Sequence, residues 1–309
     1  MIHHSTRPKN HFKLAISLIL LADLFCAGQA VFVKMASPFL GANALTFIRC
    51  LVNLIILYGW TLFTEGSTGF KTLYATKALK RHMVRSLSGA GAVYCLYYGL
   101  VLMPIGPATL LFFTFPVFIP VIARIWLKVA LIHRLWWGIG VSFLGILFIL
   151  HPGAGLFDIA ALIPLFGAIL GSIATLSVRV LHHTEKSKTI MAYYFTAGTI
   201  ISALILAIFY KQTKTVFTFY SLSMAVLVGI AAAIFQTLFT LSTKHAPTRF
   251  LSPFIYGIFI FAALGDYFIW GKLLDFGTLI GFLLICVGAI LMAFLYPKND
   301  LIFVSKKKS

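Results

Sequence analysis

Ten long apolar runs, parted by short polar links, make up almost the whole chain. They lie near residues 14–33, 44–63, 86–103, 108–127, 135–151, 158–178, 190–210, 221–242, 250–269 and 276–296. About 20 apolar residues is the length an α-helix needs to cross the hydrocarbon core of a bilayer. The fifth run is short and the sixth carries Pro164, so these two have the least certain ends. Only Thr64–Arg85 is a long link, and it places five basic residues beside Phe70, Leu73, Tyr74 and Leu79. That composition predicts either a basic helix lying on the leaflet surface or a solvated loop.

The pattern also repeats itself. Tyr97–Pro152 holds the runs Ala108–Leu127 and Leu135–Leu150, joined by a basic link with Lys128, His133 and Arg134. Leu238–Pro297 holds Phe250–Ile269 and Phe276–Phe294, joined by Gly271-Lys272-Leu273-Leu274-Asp275. A proline turn opens each copy (Pro104-Ile105-Gly106-Pro107 and Ala246-Pro247), and a Trp precedes each link (Trp126 and Trp270). The last run of each copy carries spaced glycines, Gly138/Gly145 and Gly281/Gly288; a four-residue gap aligns the two copies. Spaced glycines alone are common in membrane helices, because they permit close packing. With the turn, Trp and link in the same order, they predict duplication. The expected fold is an all-α membrane protein of ten transmembrane helices, built as two inverted five-helix repeats, residues 1–152 and 153–309. Five is odd, so the second repeat enters the bilayer from the opposite side. This plan places a transporter's binding site near the midplane, between the repeats.

Composition agrees: 61% of residues are hydrophobic and only 10% charged, where a soluble domain carries about 25% charged residues. The net charge of +18 would suggest nucleic acid on a soluble chain. Here the basic residues sit between apolar runs and set orientation, so no nucleic-acid partner is expected. With an inner N-terminus, the inner segments hold 20 Lys and Arg and the outer ones four, namely Lys34, Lys211, Lys214 and Lys272. Both termini of this multi-pass protein are therefore expected in the cytoplasm. Lys306-Lys307-Lys308 reads as a tail drawn to the leaflet. Met1–Ala30 has a signal peptide's basic start and apolar middle, but Asp23 interrupts it, which favours an uncleaved first span. The cysteines Cys26, Cys50, Cys95 and Cys286 lie within apolar runs and read as packing residues.

Polar groups inside spans need a reason, since a charge at mid-bilayer costs about 2.5–3.5 kcal/mol on insertion scales. Asp23 lies near the middle of span one. It is either a carboxylate facing a wet cavity, for a cationic group or a proton, or a packing partner for Arg49 of span two. Asp266, near the outer end of span nine, is expected to snorkel to the headgroups. Gln29, Asn53 and Gln236 suit interhelical hydrogen bonds or a pocket. Tyr94 and Tyr98 share a helix face and suit either a stacking wall or a helix seam. Phe112, Phe113 and Phe115 precede Pro116 and Pro120, which predicts a bent span four lining the cavity. Tyr256 of span nine is a further candidate wall residue.

Several short motifs carry a family likeness. They are Gly28 through Lys34 closing span one, Ala44-Leu45-Thr46-Phe47-Ile48-Arg49 in span two, Thr114-Phe115-Pro116-Val117-Phe118 in span four, and the spaced glycines of spans five and ten. On these, the chain resembles the drug/metabolite transporter superfamily, specifically its ten-span EamA-type permeases. His82-Met83-Val84-Arg85 and Ser177-Val178-Arg179 resemble the subset that includes S-adenosylmethionine carriers. The chain departs from the family where a Gly-Glu pair usually follows spans four and nine; it has Leu127-Lys128 and Gly271-Lys272 there. Pro116 has no clear counterpart in the second copy, and Ala27 stands where the family usually has Trp.

The resemblance implies a bacterial inner-membrane location, alternating access to a central cavity and transport of a small organic metabolite, amino-acid-like or nucleoside-containing. Asp23 would then be the proton or cation site and Arg49 would meet an anionic group. Tyr94, Tyr98 and Phe112 would wall the cavity. The expected partners are that solute, a proton or counter-substrate, and membrane lipids; the chain is a monomer or homodimer and needs no cofactor. Translocation of a lipid or its headgroup is the alternative for the same fold. An enzyme is not expected: there are no Asp-rich clusters for magnesium-bound diphosphate and no His and acid side chains at helical spacing within a span for a metal.

Overall fold

The computed structural model describes residues 12–126, 128, 133–150, 159–182, 184–212, 215–245, 251 and 253–295. Ala246-Pro247, Pro297, the Lys306–Lys308 tail and the first residues of the chain lie outside them.

The described residues fold as helices: α1 Phe12–Ala36, α2 Ala42–Glu65, α3 Thr68–Leu73, α4 Leu79–Leu102, α5 Ile105–Phe112, α6 Phe115–Trp126 and α7 Leu135–Leu150. After these come α8 Ile159–Leu181, α9 Ser187–Ile208, α10 Phe219–His245, α11 Gly257–Trp270 and α12 Phe276–Leu295. Seven segments are long and apolar enough to cross a bilayer: α1, α2, α5 with α6, α8, α9, α10 and α12. Leu135–Leu150 and Phe254–Trp270 are shorter apolar helices. Helix α4 has the length at 24 residues, but Lys80, Arg81 and Arg85 make its first turns polar.

One local feature differs from expectation, and a second, the bend expected in span four, is sharper than expected. Only Thr68–Leu73 forms a separate helix in the long link, and Leu79–Arg85 are the first turns of α4. The basic stretch thus continues into span three, and Arg85 is carried into the bundle. Span four breaks into α5 and α6 across Phe113 and Thr114. The break follows from Pro116, which has no N–H to donate and whose ring crowds the carbonyl four residues earlier, that of Phe112.

Contacts between links fix the helix directions. The α1–α2 link meets the α9–α10 link through a bridge between Leu40 and Thr215, with Val216 N donating to Phe39 O. At the other end, Lys188 at the start of α9 meets Glu65 at the end of α2 at 2.6 Å. The end where α1 starts is called the N-end below, and the opposite one the far end.

Helices α1 and α10 pack together, as do α4 and α8; α2 lies on α9 and α10, and α4 on α9. Helix α11 packs on α1 and α5, α8 on α5 and α6, and α7 on α12. Lipid tails are as apolar as leucine, so helices in a bilayer associate through close packing and interhelical hydrogen bonds. The α7–α12 seam shows this. A β-carbon on Gly138 would lie 2.8 Å from Gly288 O, and one on Gly145 2.6 Å from Gly281 O. The four glycines noted in the sequence face one another across antiparallel helices, and only hydrogen side chains permit that approach.

Burial is inverted relative to a water-soluble protein. Phe219 is 92% exposed and Phe63 89%, while Asp23 is at 0% and Arg49 at 7%. An apolar exterior around charged interior groups suits a lipid solvent.

Candidate functional site

Asp23 lies eleven residues into α1, about 17 Å from its start at 1.5 Å per residue. Its side chain is wholly buried, and neither carboxylate oxygen has a hydrogen-bond partner. It faces the start of α11, where a β-carbon on Gly257 would come within 3.0 Å of Asp23 Oδ2. A helix N-terminus favours negative charge by about 0.3–1 kcal/mol, too little to offset the burial of an ionised carboxylate without donors. Tyr256, just before Gly257, is also buried with an unpartnered hydroxyl.

Arg49 does not pair with Asp23. Its Nη1 donates to Tyr194 Oη at 3.4 Å, and its Nε has no partner. The packing-pair alternative for these two residues is therefore not what the structure displays. The face of the same tyrosine carries a second cation, with Arg85 Cζ 4.1 Å from the Tyr194 ring centroid. This geometry gains cation–π attraction. Gly89, one turn after Arg85, makes room for the ring: a β-carbon there would lie 2.8 Å from Tyr194 Cε2.

Beside this tyrosine is a small pocket of about 40 Å³, partly open to the surface. Arg85 of α4, Val178 and His182 of α8 and its end, Ser187, Ile190, Met191, Tyr194 and Phe195 of α9, and Gln236 and Thr240 of α10 line it. Arg85, His182 and Ser187 all lie near the N-end, so the pocket belongs to that half of the bundle.

The sequence candidates separate into groups. Gln236 lines the pocket, and Arg49 stands behind Tyr194. Asp23 and Tyr256 lie together at the α1–α11 contact. Gln29 Nε2 donates to Tyr97 Oη at 2.9 Å, which joins α1 to α4. Tyr98 is 41% exposed and donates to Asn43 Oδ1 at 3.0 Å, in a helix seam. Phe112 packs edge-on to Phe113 and against Gly167 of α8. Tyr94 is half-buried, with its hydroxyl unpartnered. Asn53 makes an interhelical bond, donating to Gly229 O at 3.2 Å. Sequence reasoning gave no site role to Arg85, Tyr194, Tyr97 or His182. Small residues at helical spacing after Arg85 (Ser88, Gly89, Ala92) marked a packed face and were the available signal.

At the far end, two charged side chains tie helix ends together. Lys34 Nζ donates to Leu100 O at 2.8 Å and Met103 O at 2.7 Å, at the end of α4. Gly106 N donates to Asp266 Oδ2 at 2.7 Å, at the start of α5. A cation thus meets orphan carbonyls and an anion meets an orphan N–H, each at the helix end that suits its sign. Asp266 is only 3% exposed. It does not snorkel, because the α5 start offers its carboxylate a backbone donor inside the protein.

At the N-end, His82 is fully buried and stacks on Tyr193 at 4.3 Å, with Nε2 3.9 Å from Glu185 Oε1. Thr76 donates to that same oxygen at 2.6 Å, and Tyr193 donates to Tyr74 O at 2.8 Å. Among the described residues, no cluster of three His, Cys, Asp or Glu side chains could hold a metal ion.

Comparison with known proteins sets this geometry in context. Residues 13–151 match the EamA-like transporter family. The Pseudopaline exporter CntI of Pseudomonas aeruginosa is 21% identical over 282 residues, covering 91% of this chain and 96% of that protein. The S-adenosylmethionine uptake transporter of Rickettsia bellii is 23% identical over 284 residues, covering 92% and 94%. The riboflavin transporter of Rhizobium johnstonii is 30% identical over 174 residues, covering 56% and 57%. A solved crystal structure shares the fold with a TM-score of 0.63 at 15% identity, over 91% of this chain and 96% of the other.

Proposed function

We propose that this chain, which belongs to the drug/metabolite transporter superfamily, moves a small organic metabolite across the cytoplasmic membrane by alternating access. The proposed frame is ten crossings in two inverted five-helix repeats, residues 1–152 and 153–309. The packing of the helices supports it. Exchange α1, α2, α4, α5–α6 and α7 for α8, α9, α10, α11 and α12 in turn, and the most extensive contacts map onto one another. The α1–α10 contact becomes α8–α4, α2–α10 becomes α9–α4, and α1–α11 becomes α8 with α5–α6. The α2–α9, α5–α11 and α7–α12 contacts map onto themselves, as pairs on a two-fold do. The N-end would be cytoplasmic, since Lys71, Lys77, Lys80, Arg81, Lys186 and Lys188 gather there and basic links resist translocation.

One observation carries the transport reading: Asp23, Arg49 and Arg85 lie inside an apolar bundle without forming ion pairs with one another. Intramembrane ionisable groups of this kind mark substrate or ion pathways. Asp23 serves as the proton or cation site in this proposal. S-adenosylmethionine, a zwitterion with an added cationic centre, is the solute class favoured by the named relative and by the presence of both an acid and two bases. A radiolabelled-metabolite uptake screen in proteoliposomes, with and without a pH gradient, tests it. Uptake is expected to fall at least tenfold in Asp23→Asn and in Arg49→Ala. Unchanged uptake in both variants would remove these residues from the pathway.

A further inference from the structure

Arg49 and Arg85 start from opposite ends of the bundle. Arg49 lies seven residues into α2 from the far end, and Arg85 six residues into α4 from the N-end, depths of about 10 and 9 Å. Their side chains meet the same tyrosine, one at its hydroxyl and one over its ring face. Two like charges converge with their Nε groups buried and unpartnered, and no acid is among the residues lining the adjoining pocket. Like charges repel in a medium of low dielectric constant, and an anion placed between them reverses that sign. Guanidinium groups present planar forks that match the two oxygens of a carboxylate or phosphoryl group. The pocket supplies uncharged hydrogen-bonding side chains around Arg85, namely Ser187, Gln236 and Thr240. It also reaches the start of α9, a 22-residue helix whose first turn has no side-chain cap; free N–H groups there favour anions.

We propose that Arg85, with Arg49 behind Tyr194, forms a docking site for an oxyanion, a carboxylate or phosphoryl group, entered from the N-end pocket. That the transported solute carries this group rests on the transport reading; that the pocket binds the group does not. Arg85 takes the anion first because it lines the pocket. Arg49 is the second charge, reached when Tyr194 swings aside.

The test uses the purified full-length chain in a neutral detergent. Thermal unfolding is followed while sodium acetate or sodium phosphate is titrated in, with sodium chloride at equal ionic strength as reference. The midpoint is expected to rise with at least one of the two anions, and the one acting at lower concentration identifies the chemistry. Arg85→Gln is expected to need at least ten times more anion for the same rise, and Arg49→Gln several times more. Arg81→Gln, on the exposed side of α4, should match wild type. Should Arg85→Gln not fold, Arg85→Lys decides: it keeps the charge without the fork and is expected to bind several-fold more weakly. No anion response in wild type overturns the site, as does a full response in Arg85→Gln or, where that variant does not fold, in Arg85→Lys. Anion binding without solute flux in liposomes would remove the transport reading and leave the site; flux without an Arg85-dependent anion response would do the reverse.

Discussion

Replacing Gly145 with alanine tests the contact on which the α7–α12 seam depends. The added carbon would sit 2.6 Å from Gly281 O, 2.9 Å from Ile285 Cγ1 and 3.0 Å from Ile285 N. Two of those three atoms are backbone, so no side-chain rotation relieves the clash and the helices must part. Separation by roughly 0.5–1 Å forfeits a quarter to a half of each dispersion contact along the seam. Overpacking of this kind costs about 1–3 kcal/mol. Gly140, on the same helix, provides the control: a β-carbon there meets nothing within 4 Å. Gly140→Ala should therefore stay within about 0.5 kcal/mol of wild type. The assay is reversible unfolding in mixed micelles by a denaturing detergent, read by the fluorescence of Trp136 and Trp137 beside the seam. Gly281→Ala, which meets the same crossing from α12, should cost a similar amount, and the double variant less than the sum because the helices have already parted. If Gly145→Ala unfolds together with Gly140→Ala, the seam is not close-packed as described and the reasoning fails.

Tyr97→Phe removes the acceptor of Gln29 and leaves a buried amide with a lost bond, so a loss of about 1–3 kcal/mol is expected in the same unfolding assay. Tyr98→Phe, at a half-exposed seam position, should lose about 1 kcal/mol or less by the same measurement. Asp266→Asn keeps the shape but loses the charge that accepts from Gly106 N. It should loosen the α4–α5 turn, seen as faster amide hydrogen exchange at Ile105–Ala108 while the N-end cluster keeps its protection.

The helices were legible in the sequence because bilayer length and apolarity are local properties: nine of the ten expected runs end within about four residues of the observed helices, with the Phe254–Tyr256 turn counted as the start of α11. The exception, span three, begins seven residues early at Leu79, since α4 continues helically through a basic stretch that hydropathy alone assigns to the surface. The spaced glycines were readable for a similar reason: Gly138, Gly145, Gly281 and Gly288 advertise a seam by their period. The site was less legible because it depends on which distant helices meet. Nothing local to Arg85 says that Tyr194 of α9 covers it, and nothing local to Asp23 says that it faces Gly257 rather than Arg49. Tyr98 and Tyr97 are neighbours in sequence, yet 100° of helix rotation sends one to the exposed edge and the other to the core.

Access from both ends to one position is the most direct test of the account. Thr240→Cys, in a chain whose four native cysteines are replaced, is reconstituted into sealed vesicles of known orientation and exposed to a membrane-impermeant maleimide on one side at a time. The account predicts labelling from the N-end face in the wild-type background. It predicts labelling from the far face once Lys34→Ala and Asp266→Asn open that end, with protection from both sides by the transported solute. Labelling that remains confined to the N-end face in every variant would contradict alternating access.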